Sequence, residues 1–381
     1  SFPIYRIPYK LIKIIFLNKV NNKYKIFLFN PYPGIGGADT TINNFASSIN
    51  YNKFDVEYLS LKEIKYKINK QIVFKTLKSN STFFSFFEIY KIIKNDKHKE
   101  KIFFSMQYFV NVWSIIFIRL ILGIKLFIYD INHLEELNYH KDFKDYLKKK
   151  TIYYLVKILY SYADIVAGNS RELAKALEKH AGCKVNTLYN PCFNRITKNS
   201  RKPYFNNKIN ILCISRFEDQ KDHLTLLKGI NHCTIKKKIN LTLVGHGSKE
   251  SEIKTYIKTH NIKAKIFTNT NKLNGFYKKT DLFISTSIYE GLPTTMVEAA
   301  SYCLPIISSN FKSGSKEILL NGRAGSLFKI KDYKRLSQLI EEFYKNPKPF
   351  FNKELLCRNN LKRFSITKNQ KMFNLLINSL C

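Results

Sequence analysis

Acidic residues are scarce in this chain. Only 28 Asp and Glu stand against 64 Lys and Arg, a formal net charge of +36 at pH 7. Such an excess fits nucleic acid, an anionic membrane surface or an anionic substrate. The lysines are spread along the whole chain among Asn, Ile, Tyr and Phe. No RNA-binding signature, zinc spacing or helix-turn-helix pattern accompanies them. No nucleic-acid partner is expected, and a charge-driven nucleic-acid-binding protein is the weaker alternative. Paired cysteines are also lacking. The seven cysteines are odd in number and include no C-x-x-C pair, which points to reduced thiols in a cytoplasmic protein rather than a disulfide framework. The first residues, SFPIYRIPYKLIK, carry no signal-peptide pattern. They do not begin with Met, so a segment upstream is expected. A long uncharged apolar run is missing too. Val110–Tyr129 comes nearest, but Arg119 and Lys125 interrupt it and Gly123 divides it. A spanning helix needs about 20 predominantly apolar residues, so a buried helix over Val112–Leu122 and a strand over Lys125–Asp130 are expected instead.

What is present is the material of two domains. The chain has 381 residues, 45% of them hydrophobic. Tyr24–Asn30 reads as a strand, Pro33–Gly37 as a glycine-bearing turn, and Asp39–Ile49 as a helix capped by Asp39 or Thr40. This is the opening of a doubly wound unit. Strands over Ile102–Ser105, Leu126–Asp130, Ile165–Gly168 and Val185–Tyr189 follow, with helices over Ile152–Tyr162 and Ser170–His180. The polar stretch Asn194–Asn207 reads as a linker. A second alternation runs through strands at Ile209–Ser215, Asn240–Val244, Lys265–Phe267, Asp281–Ser285 and Pro305–Ser308. Helices lie at His223–Gly229, Lys249–His260 and Asp332–Tyr344. Strands alternating with helices in both halves predict two mostly parallel sheets.

The chemistry concentrates in Ser285–Ala300, STSIYEGLPTTMVEAA. Glu290 falls in the loop after a strand. Glu298 falls early on the next helix, whose first turn suits Pro293. Two carboxylates beside the free N–H groups of a helix start suit a ligand bearing hydroxyls and a phosphate. Upstream, Ser215–Lys221 (SRFEDQK) puts Arg216 directly after a strand and Lys221 five residues on. Arg offers a planar fork for phosphate oxygens and Lys a point charge. Val244–Gly247 (VGHG) supplies Gly245 and Gly247, either for close approach to a ligand or for a tight turn.

The string SxxEGxPxxxxEA, intact from Ser287 to Ala299, resembles the E-x7-E signature of retaining family-4 glycosyltransferases. ISRFEDQKDHLTLLKGI resembles that family's strand, SR and Lys element. The resemblance is strong over about Ile209–Phe328 and patchier before it. It implies an α/β, GT-B architecture: two Rossmann-like doubly wound domains facing a central cleft. An acceptor domain would span 1–195, a nucleotide-sugar domain 196–360, and a C-terminal helix in 361–381 would pack back on the first domain.

The resemblance also implies roles. Glu290 would contact the donor sugar, Glu298 the ribose diol, and Arg216 and Lys221 the diphosphate. Backbone and hydroxyl donors at Leu292, Thr294 and Thr295 would meet the distal phosphate. From the N-terminal half, Gly36 and Gly37 resemble the family's glycine loop near the diphosphate, and His133 the histidine that contacts the transferred sugar. Asn169-Ser170 and Asn190-Pro191 resemble architectural loops. Ser313-Gly314, Glu317, Gly322 and Gly325 follow a glycine-rich pattern in which Ser313 replaces the first glycine. No metal or cofactor is implied, and no D-x-D triad is present. The expected partners are a nucleotide-sugar, UDP over GDP, and a glycan or polyprenol-linked acceptor, at the inner face of an anionic membrane. A GT-B epimerase or phosphorylase is the rival enzyme class.

Overall fold

The computed structural model describes residues 23–34, 36–63, 69–197, 207–268, 270 and 273–381. Most of the expected linker and the first 22 residues lie outside these. The N-terminal sheet holds β1 (Tyr24–Phe29), β2 (Phe54–Ser60), β3 (Ile72–Thr76), β4 (Lys101–Met106), β5 (Lys125–Asp130), β6 (Ile165–Gly168) and β7 (Asn186–Thr187). Its order is β3-β2-β1-β4-β5-β6-β7, and every pair is parallel. The inner strands are nearly continuous apolar runs, as burial on both faces requires. Side chains alternate between the faces. Phe27 and Phe29 enter one core, and Ile26 and Leu28 the other.

Helices α1 (Gly37–Ala46), α2 (Thr82–Asn95), α3 (Tyr108–Ser114), α4 (Phe143–Leu159) and α5 (Arg171–Ala181) connect these strands. The expected Val112–Leu122 helix begins earlier, at Tyr108, and continues as π-helix over Ile115–Ile121. α4 starts nine residues before the expected Ile152, where the Asp142 carboxylate caps Asp145 N–H at 2.8 Å. α1 is capped by neither Asp39 nor Thr40. Its cap position is Gly36, and Asp39 lies inside the helix, accepting from Asn30 Nδ2 at 2.9 Å. Among the described residues no helix is long and apolar enough to cross a membrane.

The second sheet runs β10-β9-β8-β11-β12-β13. Its strands are β8 (Ile209–Ile214), β9 (Ile239–Val244), β10 (Ala264–Phe267), β11 (Leu282–Ser285), β12 (Ile306–Ser309) and β13 (Ser326–Phe328). Its helices are α6 (His223–His232), α7 (Glu250–Thr259), α8 (Asn274–Lys278), α9 (Thr294–Ser301), α10 (Ser315–Ile318), α11 (Tyr333–Lys345) and α12 (Lys348–Asn359). The last helix, α13 (Ile366–Asn378), returns to the first domain. There Phe373 stacks on Phe45 of α1 with centroids 4.6 Å apart, and Gln370 Nε2 donates to the Asn44 carbonyl at 2.7 Å. The chain thus passes between the domains twice, and the two passages run side by side. Cys192 N–H donates to the Phe364 carbonyl at 3.0 Å and Ile366 N–H to the Phe193 carbonyl at 2.9 Å.

Candidate active site

In the second sheet the strand order reverses between β8 and β11. In open α/β sheets ligands bind at that reversal, outside the carboxyl ends of the strands. β8 ends in the turn carrying Arg216 and Lys221, and β11 in the loop carrying Glu290. Glu290 is 7% exposed. Its Oε1 forms an ion pair with Lys221 Nζ and accepts from Ser287 Oγ at 2.8 Å. Arg216 stands exposed beside them, with Nη2 donating to Gln220 Oε1 at 3.3 Å. Gln220 Nε2 in turn donates to the Tyr289 carbonyl at 2.8 Å. Gly245 and Gly247 cross over this turn. A methyl group at either would collide with the carbonyl of Ser215 or Phe217, so loop-on-loop packing alone already requires glycine at both places.

α9 starts at Thr294, with Pro293 at its cap position and no side chain capping it. Met296 N–H bonds back to the Pro293 carbonyl at 3.2 Å, and the Thr294 and Thr295 N–H groups lie before the first intrahelical bond. The Gly36-Gly37 start of α1 lies directly opposite, since a Cβ on Gly37 would sit 3.3 Å from Thr294 Oγ1. Two helix N-termini therefore come together at the cleft, and their like partial charges favour an anion beside them. Leu292 is buried at this junction, its carbonyl accepting from Asn190 Nδ2 at 3.2 Å. Thr295 follows Thr294 in the first turn and is half-buried. Further along α9, Glu298 accepts from Tyr277 Oη–H at 2.8 Å. Burial pushes its carboxyl above the ordinary 4.5, with the Tyr277 bond pulling the other way.

His133 follows β5 and meets this wall from the first domain. Its backbone N–H donates to the Glu290 carbonyl at 3.3 Å, and Asn132 pairs with Gly291 as an antiparallel bridge. Burial holds the imidazole below its usual 6.5, against the opposing pull of Glu135. Burial thus favours the neutral ring. Its Nδ1 accepts from Glu135 N–H at 3.2 Å, which leaves the proton on Nε2, a free-standing donor. The same segment is clasped twice more. Glu135 pairs with Lys312, and Tyr139 stacks on Tyr289 at 4.9 Å. Sequence reasoning did not single out Gln220, Tyr277, Tyr289 or Lys312: Gln220 and Tyr289 fill unassigned positions inside the quoted strings, and Tyr277 and Lys312 lie outside them. Ser313 adopts φ 72°, the left-handed region that glycine enters freely. Its hydroxyl explains the exchange: it donates to the Gly291 carbonyl at 3.0 Å and meets Ser170 Oγ at 2.5 Å, tying the domains together.

Residues 195–363 match the family described as glycosyl transferases group 1. The C-terminal domain is a glycosyltransferase domain of that group. Across most of its length the glycosyltransferase resembles a Campylobacter jejuni enzyme described as GalNAc-alpha-(1->4)-GalNAc-alpha-(1->3)-diNAcBac-PP-undecaprenol alpha-1,4-N-acetyl-D-galactosaminyltransferase. The two are 26% identical over 86% of this chain and 90% of that one. It also resembles the amylovoran biosynthesis glycosyltransferase AmsD of Erwinia amylovora, 24% identical over 78% of this chain and 84% of the relative. Among solved structures, Anabaena HepE, in complex with UDP and glucose, superposes with a TM-score of 0.76 at 14% identity, covering 93% of this chain and 99% of HepE. Sucrose-phosphate synthase of Thermosynechococcus elongatus superposes with a TM-score of 0.80 at 14% identity, covering 94% and 99%. The glycosyltransferase has the GT-B fold of these neighbours, as the motif resemblance implied.

Proposed function

We propose that the protein is a retaining glycosyltransferase. It moves a hexose-type sugar from a nucleotide-sugar, UDP in preference to GDP, to a glycan or polyprenol-linked acceptor in surface-polysaccharide synthesis. The observation that carries this reading is the convergence of the α1 and α9 N-termini beside Arg216 and the Lys221–Glu290 pair. A diphosphate there meets backbone N–H groups from both domains, a guanidinium fork and an ammonium. Those positive groups do the work that a divalent cation would otherwise do, so the reaction needs no metal, and the donor itself serves without a cofactor. Lys221 has three donors, so it holds Glu290 and a phosphate oxygen together. Glu290 accepts from sugar hydroxyls, His133 Nε2–H donates to the same sugar, and Glu298 accepts from the ribose diol.

As the bond from the anomeric carbon to the diphosphate breaks, the acceptor oxygen bonds to that carbon on the same face and its proton passes to the leaving oxygen. Configuration is thereby retained without a dedicated protein base. The UDP preference is supported by HepE, whose structure holds UDP and glucose. The lipid-linked acceptor is supported by the Campylobacter relative, named for a diphospho-undecaprenol substrate.

Thermal stabilisation by a panel of UDP-, GDP-, ADP- and CMP-sugars should select the UDP sugars. With the selected donor, Glu290→Ala and Arg216→Ala should each lower turnover by about a hundredfold or more. Near-normal transfer by both variants would end this assignment.

A further inference from the structure

α4 is apolar on two opposite faces. Ile152 and Val156 fill the N-terminal core. Phe143, Leu147, Tyr154 and Ile158 are spaced by four, seven and four residues. At about 100° per residue these spacings hold them within roughly 60° of arc, on the side facing away from Ile152 and Val156. They are 73%, 48%, 53% and 61% exposed. Leu120 and Ile121, at the end of the π-helical segment in the same layer, are 50% and 58% exposed. A helix that only had to cover a sheet would be polar on its outer side. Isolated exposed apolar residues are ordinary, but a continuous stripe marks an interaction surface.

The rim of the stripe indicates the partner. α4 carries five lysines and one acid, Asp145. Asp145 is paired with Lys149 at 3.1 Å. Lys144, Lys150 and Lys157 are exposed and flank the stripe. A second copy of a chain with net charge +36 is repelled by such a rim, whereas an anionic bilayer is attracted to it and accepts the apolar side chains.

We propose that the outer face of α4 docks on an anionic lipid bilayer. Phe143, Leu147, Tyr154 and Ile158 enter the headgroup boundary, and Lys144, Lys150 and Lys157 pair with lipid phosphates. The helix starts four residues after Tyr139, which stacks on Tyr289 at the cleft. Docking there brings the cleft mouth to the bilayer surface, so an acceptor on a lipid anchor reaches the sugar without leaving the membrane. This last step rests on the glycosyl-transfer reading; the docking face does not.

The test is co-sedimentation of the full chain with vesicles of phosphatidylcholine alone and of an equal mixture with phosphatidylglycerol. The protein should pellet with the anionic vesicles and be released by high salt. Leu147→Ser/Ile158→Ser and Lys144→Glu/Lys157→Glu should each weaken binding at least tenfold while leaving the melting temperature and donor hydrolysis unchanged. Absence of binding by the unaltered protein, or unaltered binding by both variants, overturns the proposal. A vesicle-free dimer that Leu147→Ser/Ile158→Ser splits, with no binding to vesicles, assigns the face to a second copy and overturns it equally. Vesicle binding with no sugar-nucleotide turnover leaves the docking face standing and removes the glycosyl-transfer reading instead.

Discussion

Glu298 keeps a carboxylate where burial disfavours its charge, and the Tyr277 hydroxyl offsets part of that cost. Hydrogen bonds to charged groups contribute about 1.5–3 kcal/mol. Tyr277→Phe should therefore raise the donor KM by about tenfold or more and change kcat much less. Steady-state kinetics with the selected nucleotide-sugar would show this split, and an unchanged KM would separate Tyr277 from donor binding. Ser313 is the second instructive residue. A serine with φ 72° is strained relative to glycine, and its hydroxyl recovers that strain as a bond between domains. The sequence presents it only as a missing glycine.

At the level of elements, the start of α6 secures the phosphate-side turn. His223 Nε2 lies 3.0 Å from Ser215 Oγ, next to Arg216. Burial, with a smaller push from Lys221, lowers the imidazole to about 4. Its unfolded value is near 6.5, so the unfolded chain takes up the proton first. Stability from this group is complete above pH 6.5 and falls as pH drops toward 4, by about 3 kcal/mol in all. Melting temperature against pH should show that acid slope, and His223→Gln should flatten it.

The elements also differ in how legible they were. β8, β11 and α9 were clear in the sequence, because short apolar runs end at motif residues. The region between α1 and β4 was not. β3 is an edge strand whose last four residues are exposed, so IVFKT lacks the alternation of a half-buried strand. The first half of α4 was missed because lysines and outward apolar residues erase the contrast between its faces. The Lys221–Glu290 pair joins residues 69 apart, a proximity no local pattern encodes. The start of α1 was misplaced because Asp39 looks like a cap but serves Asn30.

At the level of the whole molecule, α13 is the strap that carries the end of the chain back to the first domain. Its Phe373 is fully buried between Phe45, Phe104 and Phe127. Phe373→Ala should cost about 3–5 kcal/mol, read as a lower denaturation midpoint. A loss below about 1 kcal/mol would make the strap incidental. The strap also bears on movement. Because the passages at Cys192–Phe193 and Phe364–Ile366 are hydrogen-bonded edge to edge, they behave as one axle rather than two independent tethers. Any opening of the cleft would then have to break together the contacts that close it, His133 to Glu290, Asn132 to Gly291, Ser170 to Ser313 and Glu135 to Lys312.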